Sequence, residues 1–200
     1  MSAVETLAGS GLADERGSGP DLEEGALLAA LAAGDRGAAE RLVERTYRGV
    51  YALLKRLSGD ADLAADLTQE TYRKAWDALA SFDRRARFST WLCRIAYNTF
   101  LNHIRRPRRL LQLAEGEAEA VVDPLPSRDE TLVAAAERDR LRRAVLALPE
   151  TLCFTVVALY WSGLSVREVA EQERVTTVAI RKRLKKALSH LAGALGEAGR

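Results

Sequence analysis

The sequence predicts an all-α chain of two helical domains joined by a flexible acidic linker. Three observations carry that expectation. Apolar residues recur at helical spacing through most of 21–109 and again over 131–197, with no convincing strand alternation in between. Helix-stopping residues divide those stretches at Gly34-Asp35, Gly59-Asp60 and Pro107. Residues 110–130 lose amphipathic order and carry Glu115, Glu117, Glu119, Asp123, Asp129 and Glu130 together with Pro124 and Pro126. With 48% hydrophobic residues in 200, the chain can fill one large core or two small ones.

The elements follow in order. Residues 1–20 are rich in Gly, Ser and Ala and read as a flexible leader. The front domain, 21–109, opens with a short helix from Asp21 to about Ala33. A longer helix to about Ser58 follows, its stripe formed by Leu42, Val43, Thr46, Tyr47, Val50, Leu54 and Leu57. A third helix is expected from about Asp62 to Leu79, then a loop at Ser81 to Phe88. A fourth runs from about Thr90 to Arg106, where Pro107 should stop it. The rear domain, 131–197, resumes helical periodicity with Leu141, Val145 and Leu148. Its second bundle includes Phe154, Val157, Leu159, Tyr160 and Trp161.

The rear domain ends in two short helices joined by a tight turn. Ser165 and Glu168 have the spacing of a capping box for the first, and Thr176 is placed to cap the second. Ile180, Leu184, Ala187 and Leu188 put one face of that second helix in the core, while Arg181, Lys182, Arg183, Lys185 and Lys186 remain outside it. No acidic residue occurs between Arg174 and Gly196. A merely solvated cationic helix end would show the charges without the adjacent cap, turn and apolar stripe. The combination is the layout of a helix-turn-helix DNA reader. The net charge of only +2 conceals this polarity, because the acidic connector offsets the basic helix and the cluster Arg105, Arg106, Arg108 and Arg109.

Several classes of function lack their residues. The two histidines, His103 and His190, lie on basic helical surfaces without metal-ligand spacing; no glycine-rich phosphate loop or nucleophile elbow occurs. Hence no catalytic residue, metal or cofactor is expected. Cys93 and Cys153 fall within apolar helical patterns and read as buried thiols. No signal peptide and no apolar run of about 18 residues is present, so a soluble cytoplasmic protein without membrane insertion is expected.

The front domain carries a second, more specific signal: Asp66-Leu67-Thr68-Gln69-Glu70-Thr71-Tyr72 and Ala75-Trp76, then Phe82, Phe88, Trp91-Leu92 and Ile95-Ala96-Tyr97-Asn98. Together with Leu148-Pro149 and Gly163-Leu164-Ser165 in the rear, this resembles the extracytoplasmic-function (ECF) sigma factors, specificity subunits of bacterial RNA polymerase. Their patterns read D-L-x-Q-E-x-F…A-W…F…F-x-x-W-L-x-x-I-A-x-N and L-P…G-L-S-x-x-E-I-A. The resemblance covers about residues 22–195.

It implies a factor that binds core RNA polymerase and promoter DNA, recognising a −10 element with the front domain and a −35 element with the rear one. Asp66, Gln69, Glu70 and Arg73, which share one polar helix face, would dock on polymerase. Phe82, Asp83, Arg84 and Arg85 would surround a flipped −10 base; Arg94 and Asn98 would face the single strand, with Arg105 and Arg106 on phosphates. Phe88, Trp91, Ile95 and Phe100 read as core. Thr176, Thr177, Arg181 and Arg183 would reach −35 base edges, and Lys185 and Lys186 the phosphates. An anti-sigma factor or a kinase would be the regulatory partner. The alternative on the residues alone is a stand-alone helix-turn-helix regulator.

The chain departs from the family pattern in two places. Leu63-Ala64-Ala65 stands where many members have Asp-Ala-Glu, which removes negative charge near the polymerase-docking face; phosphorylation of Thr68 or Thr71 would restore it. Glu173-Arg174 stands at the turn where the pattern has an apolar residue and Gly. A left-handed Arg174 would cost about 1 kcal/mol relative to Gly. Val178 also replaces a smaller residue.

Overall fold

A computed structural model describes the backbone of residues 22–113 and 132–197, with side chains described for 22–105 and 133–196. The leader at 1–20 lies outside those residues, as does most of the 110–130 linker. Every described regular element is helical.

Short polar caps set the helix boundaries in the front half. Helix α1 is Leu22–Ala32. Asp35 caps α2, Arg36–Ser58, by accepting a hydrogen bond from the Gly37 amide at 2.8 Å. Gly59 closes α2 in the left-handed conformation, φ 75°, which only Gly adopts without penalty. Asp60 then opens α3, Ala61–Ala78, by accepting from Asp62 N and Leu63 N. A 3₁₀ turn at Leu79–Ser81 leads into the loop. Helix α4, Phe88–Leu113, is started by a residue far away in sequence: buried Glu24 of α1 accepts from Phe88 N at 2.5 Å. This helix continues through Pro107 instead of stopping there. Proline removes one ladder bond and crowds the preceding turn, but Arg, Leu and Gln on its far side are good helix formers that continue the path.

The rear half comprises α5 (Leu132–Leu146), α6 (Glu150–Val156), α7 (Val166–Glu173) and α8 (Thr177–Glu197). Helix α6 runs on into a π-helical turn, Val157–Trp161, closed by Ser162 N donating to Val157 O. The Ser165/Glu168 capping box is formed in both directions, and Thr176 Oγ1 accepts from Ala179 N at the start of α8. Arg174 is left-handed, φ 55°.

One continuous core runs through both halves, filled by Leu53, Leu54, Leu57, Leu67, Phe88 and Leu92 in the front and by Val145, Phe154, Val157, Val169, Ile180 and Leu191 in the rear. Each such side chain contributes roughly 1.5–3 kcal/mol on burial. The halves join within this core, where Tyr97 of α4 and Phe154 of α6 are both buried with their rings 5.2 Å apart.

Burial also dominates the titration behaviour of the interior. It pushes the Cys93 thiol up to about 11 and the Tyr72 phenol up to about 12, and it raises Tyr97 and Cys153 as well. Both cysteines are free.

Candidate nucleic-acid and polymerase interface

Helix α3 separates its faces cleanly. Leu67, Thr68, Thr71, Tyr72 and Ala75 are buried, which leaves Asp66, Gln69 and Arg73 exposed and Glu70 half-buried beside them. Glu70 pairs with Lys74 at 2.7 Å and Arg73 with Asp77 at 3.1 Å, so the face is pre-ordered by its own i,i+4 ion pairs. Ala64, which matches the pattern, is fully buried, while Leu63 and Ala65, the two positions that are acidic in the pattern, flank it half-exposed. Phosphorylation at Thr68 or Thr71 is corrected by the structure: both hydroxyls are fully buried and donate to the helix carbonyls of Ala64 and Leu67 at 2.7 Å.

The loop before α4 is anchored by an aromatic cluster. Phe82 packs on Trp91 with ring centroids 5.0 Å apart and edge-on to buried Phe88 at 5.9 Å. This arrangement projects Asp83, Arg84 and Arg85 outward, all exposed. Asp83 accepts from Arg85 N and also pairs with the Arg85 guanidinium. Arg84 is left-handed, φ 56°, and its guanidinium reaches Leu28 O at 3.4 Å. One turn apart on α4, Asn98 is exposed and Arg94 is half-buried. Arg105 is exposed; Arg106 falls outside the described side chains. Phe88 and Phe100 are buried and Trp91 and Ile95 partly so, as core residues should be.

Helix α8 buries Ile180, Leu184, Ala187 and Leu191 and leaves Arg181, Lys182, Lys185 and Lys186 exposed. Thr176 is exposed and Thr177 half-buried at its start. Arg183 differs from the other cations, because its guanidinium turns inward to the Glu173 carboxylate at 3.5 Å.

The sequence gives no local sign of the contacts that cross between the halves. Glu173 pairs with Arg94 at 3.5 Å as well as with Arg183, Glu168 with Arg87 at 3.6 Å, Glu150 with Arg105 at 2.9 Å, and Asp83 with Arg174 at 3.2 Å. The Arg94 guanidinium also lies 4.3 Å from the Phe154 ring centre. Cys93 Sγ meets Ser162 Oγ at 3.2 Å, and Tyr97 Oη donates to Glu150 O. Between the loop and the rear domain's turn lies a cleft of about 140 Å³, lined by Asp83, Arg85 and Trp91 on one side and by Glu171, Gln172 and Arg174 on the other.

The described surfaces are a basic helix-turn-helix in the rear half and, in the front half, an aromatic and cationic loop beside a polar helix face, the surface pattern of a DNA-binding protein. Sequence comparison specifies the family. Sigma-70 region 2 matches residues 42–110. The chain is 31% identical to the ECF RNA polymerase sigma factor SigM of Mycobacterium tuberculosis over 170 residues, 85% of this chain and 83% of that one. It is 29% identical to the RNA polymerase sigma-H factor of Pseudomonas aeruginosa over 159 residues, 76% of this chain and 82% of that one. Among solved structures it resembles CnrH in complex with the cytosolic domain of CnrY, with TM-score 0.62, 22% identity and coverage of 88% of this chain and 98% of that one. It also resembles the sigma factor RpoE of Bartonella quintana in complex with the anti-sigma factor NepR, with TM-score 0.59, 24% identity and coverage of 78% and 96%. The chain belongs to the ECF RNA polymerase sigma factors, alternative sigma factors that direct promoter-specific initiation.

Proposed function

We propose that 21–109 and 131–197 act as separate promoter-reading domains and that the division of labour follows the surfaces described above. The exposed face of α3, with Asp66, Gln69, Glu70 and Arg73, docks on core polymerase; its ion pairs hold the side chains in place before contact. The loop residues Phe82, Asp83, Arg84 and Arg85 receive an unstacked −10 base beside Trp91, with Arg94 and Asn98 along the strand and Arg105 and Arg106 on phosphates. Thr176, Thr177, Arg181 and Arg183 read −35 base edges from the major groove, and Lys185 and Lys186 hold phosphates.

The observation that carries this reading is the exposure of Asp83, Arg84 and Arg85 on a loop whose aromatic base, Phe82 on Trp91, is already packed. The mechanism is differential binding without covalent chemistry, carried out in the cytoplasm. No described helix is long and apolar enough to cross a membrane. Regulation would come from a protein that competes for these faces, an anti-sigma factor being the partner found with the Bartonella quintana neighbour.

Reconstitution with core polymerase tests the assignment. Mapped transcript starts should share two upstream elements; Asp66→Ala with Glu70→Ala should weaken polymerase binding, while Arg84→Ala with Arg85→Ala should spare it and lose promoter opening. Operator binding without polymerase, together with no promoter-dependent transcript in its presence, would refute it.

A further inference from the structure

Val178 stands out on the open face of α8. It lies in the first turn of the helix and is 57% exposed. Arg181, Lys182 and Lys185 follow it at helical spacing on the same face, and all three are exposed. The opposite face, formed by Ile180, Leu184, Ala187 and Leu191, is buried without it, so packing does not account for a valine here. Helix formation does not account for it either, because a β-branched residue in an exposed turn is a poorer helix former than alanine. Single apolar residues on a surface are common and call for no explanation by themselves. This one is set in a cationic stripe, at the end of a recognition helix whose residues meet base edges.

The neighbouring side chains narrow what Val178 can do. Thr176 Oγ1 already accepts from the Ala179 amide at 3.2 Å, Thr177 is half-buried, and the Arg183 guanidinium turns inward to Glu173 at 3.5 Å. Val178 is thus the exposed apolar group at the base-reading end of α8, with Arg181 and Lys182 one turn behind it. The polar edges of guanine, adenine and cytosine in the major groove offer an isopropyl group nothing to bond. The apolar group that a base pair presents there is the C5-methyl of thymine, where cytosine has only a hydrogen. Arg181, Lys182, Lys185 and Lys186 supply the charge that holds an anionic duplex against this face.

We propose that Val178 is a specificity-determining residue of the −35 contact: its isopropyl group packs against the C5-methyl of one thymine and selects that base over cytosine. The proposal rests on the assignment of α8 to −35 DNA given above. Burying one methyl-sized apolar group corresponds to about fourfold in affinity. The contact therefore sets a preference among promoters, while the surrounding cations carry most of the binding.

The test uses the full-length factor reconstituted with core polymerase and a promoter fragment identified by transcript mapping. Each thymine of the −35 element, on either strand, is replaced singly by deoxyuridine, which lacks only the C5-methyl. Equilibrium affinity is then measured for wild type and Val178→Ala, so that each thymine and the side chain form a double-mutant cycle. Alanine is the better helix former and replaces an exposed side chain, so the variant keeps its fold, which far-ultraviolet circular dichroism checks. At one thymine, wild type should lose about fourfold on removal of the methyl and Val178→Ala should be nearly indifferent. At that position 5-methylcytosine should bind wild type more tightly than cytosine does, and the variant should not distinguish them. Deoxyuridine effects that are the same in both proteins at every position overturn the proposal, as does an element with no thymine on either strand. Scrambling the −35 element separates this failure from failure of the reading beneath it. If scrambling weakens wild-type binding while no deoxyuridine distinguishes the two proteins, α8 stays at −35 and Val178 alone loses its role. If scrambling changes nothing, the −35 assignment fails and the proposal falls with it.

Discussion

Replacing Lys185 and Lys186 by Ala tests whether α8 holds phosphates as assigned. Both side chains are exposed on the face of α8 opposite Leu184, Ala187 and Leu191, so truncation leaves the core untouched and should change stability by no more than about 0.5 kcal/mol. Each phosphate contact contributes about −0.9 to the slope of log K against log salt, so losing two flattens the line by about 1.8. Between 50 and 200 mM salt, a fourfold change, wild type should therefore lose about twelvefold more affinity than the variant. The assay is equilibrium binding of the reconstituted holoenzyme to one promoter fragment across a salt series, where polymerase's own contacts cancel in the difference. Parallel lines would refute the phosphate assignment. A changed preference among −35 sequences, with the slope intact, would show that these lysines read bases.

Two further outcomes test the interior. Thr68→Val should transcribe like wild type and cost at most about 1.5 kcal/mol, since it removes one buried hydroxyl that bonds only the Ala64 carbonyl, whereas Thr68→Glu buries an unpaired carboxylate and should cost several kcal/mol in urea melts; a stable, more active Glu variant would contradict the burial. On the alkaline side, Cys93 and Tyr72 hold their protons to about 11 and about 12 when folded, against 9.0 and 10.0 as ordinary values. Their contribution is therefore intact below pH about 9 and lost above it, with Cys93 removing about 1.4 kcal/mol per pH unit up to pH about 11 and Tyr72 adding a similar slope from pH about 10. Unfolding at a series of pH values should show this fall, and Cys93→Ala should flatten its first part.

What was legible in the sequence was local. Asp35, Asp60 and the Ser165/Glu168 pair cap the first turn beside them, and Gly59 ends the helix it follows, so their effects lie within a few residues of the cause. The exposed faces of α3 and α8 were legible for the same reason, being complements of an apolar stripe. Pro107 does not end α4, because its local penalty is outweighed by the helix formers beyond it. The start of α4, expected near Thr90 and found at Phe88, was legible from the periodicity, but what holds it was not: its first amide donates to Glu24, 64 residues earlier, and no spacing rule connects them. Ion pairs such as Asp83 with Arg174, 91 residues apart, are equally silent. Such pairs are chosen by packing, after each helix has formed.

The Glu173-Arg174 turn shows how a local irregularity can point to a distant contact. Arg174 at φ 55° gives up about 1 kcal/mol relative to Gly, and its exposed pair with Asp83 returns at most about that much. Within the rear domain alone, arginine is therefore the poorer residue at this position. Its compensation exists only while the front domain is in place, so the turn is more stable with the domains together than with them apart. Glu173 follows the same logic from the other side: its side chain is only 14% exposed, and its carboxylate holds two guanidinium partners, Arg183 from its own half of the chain and Arg94 from the other.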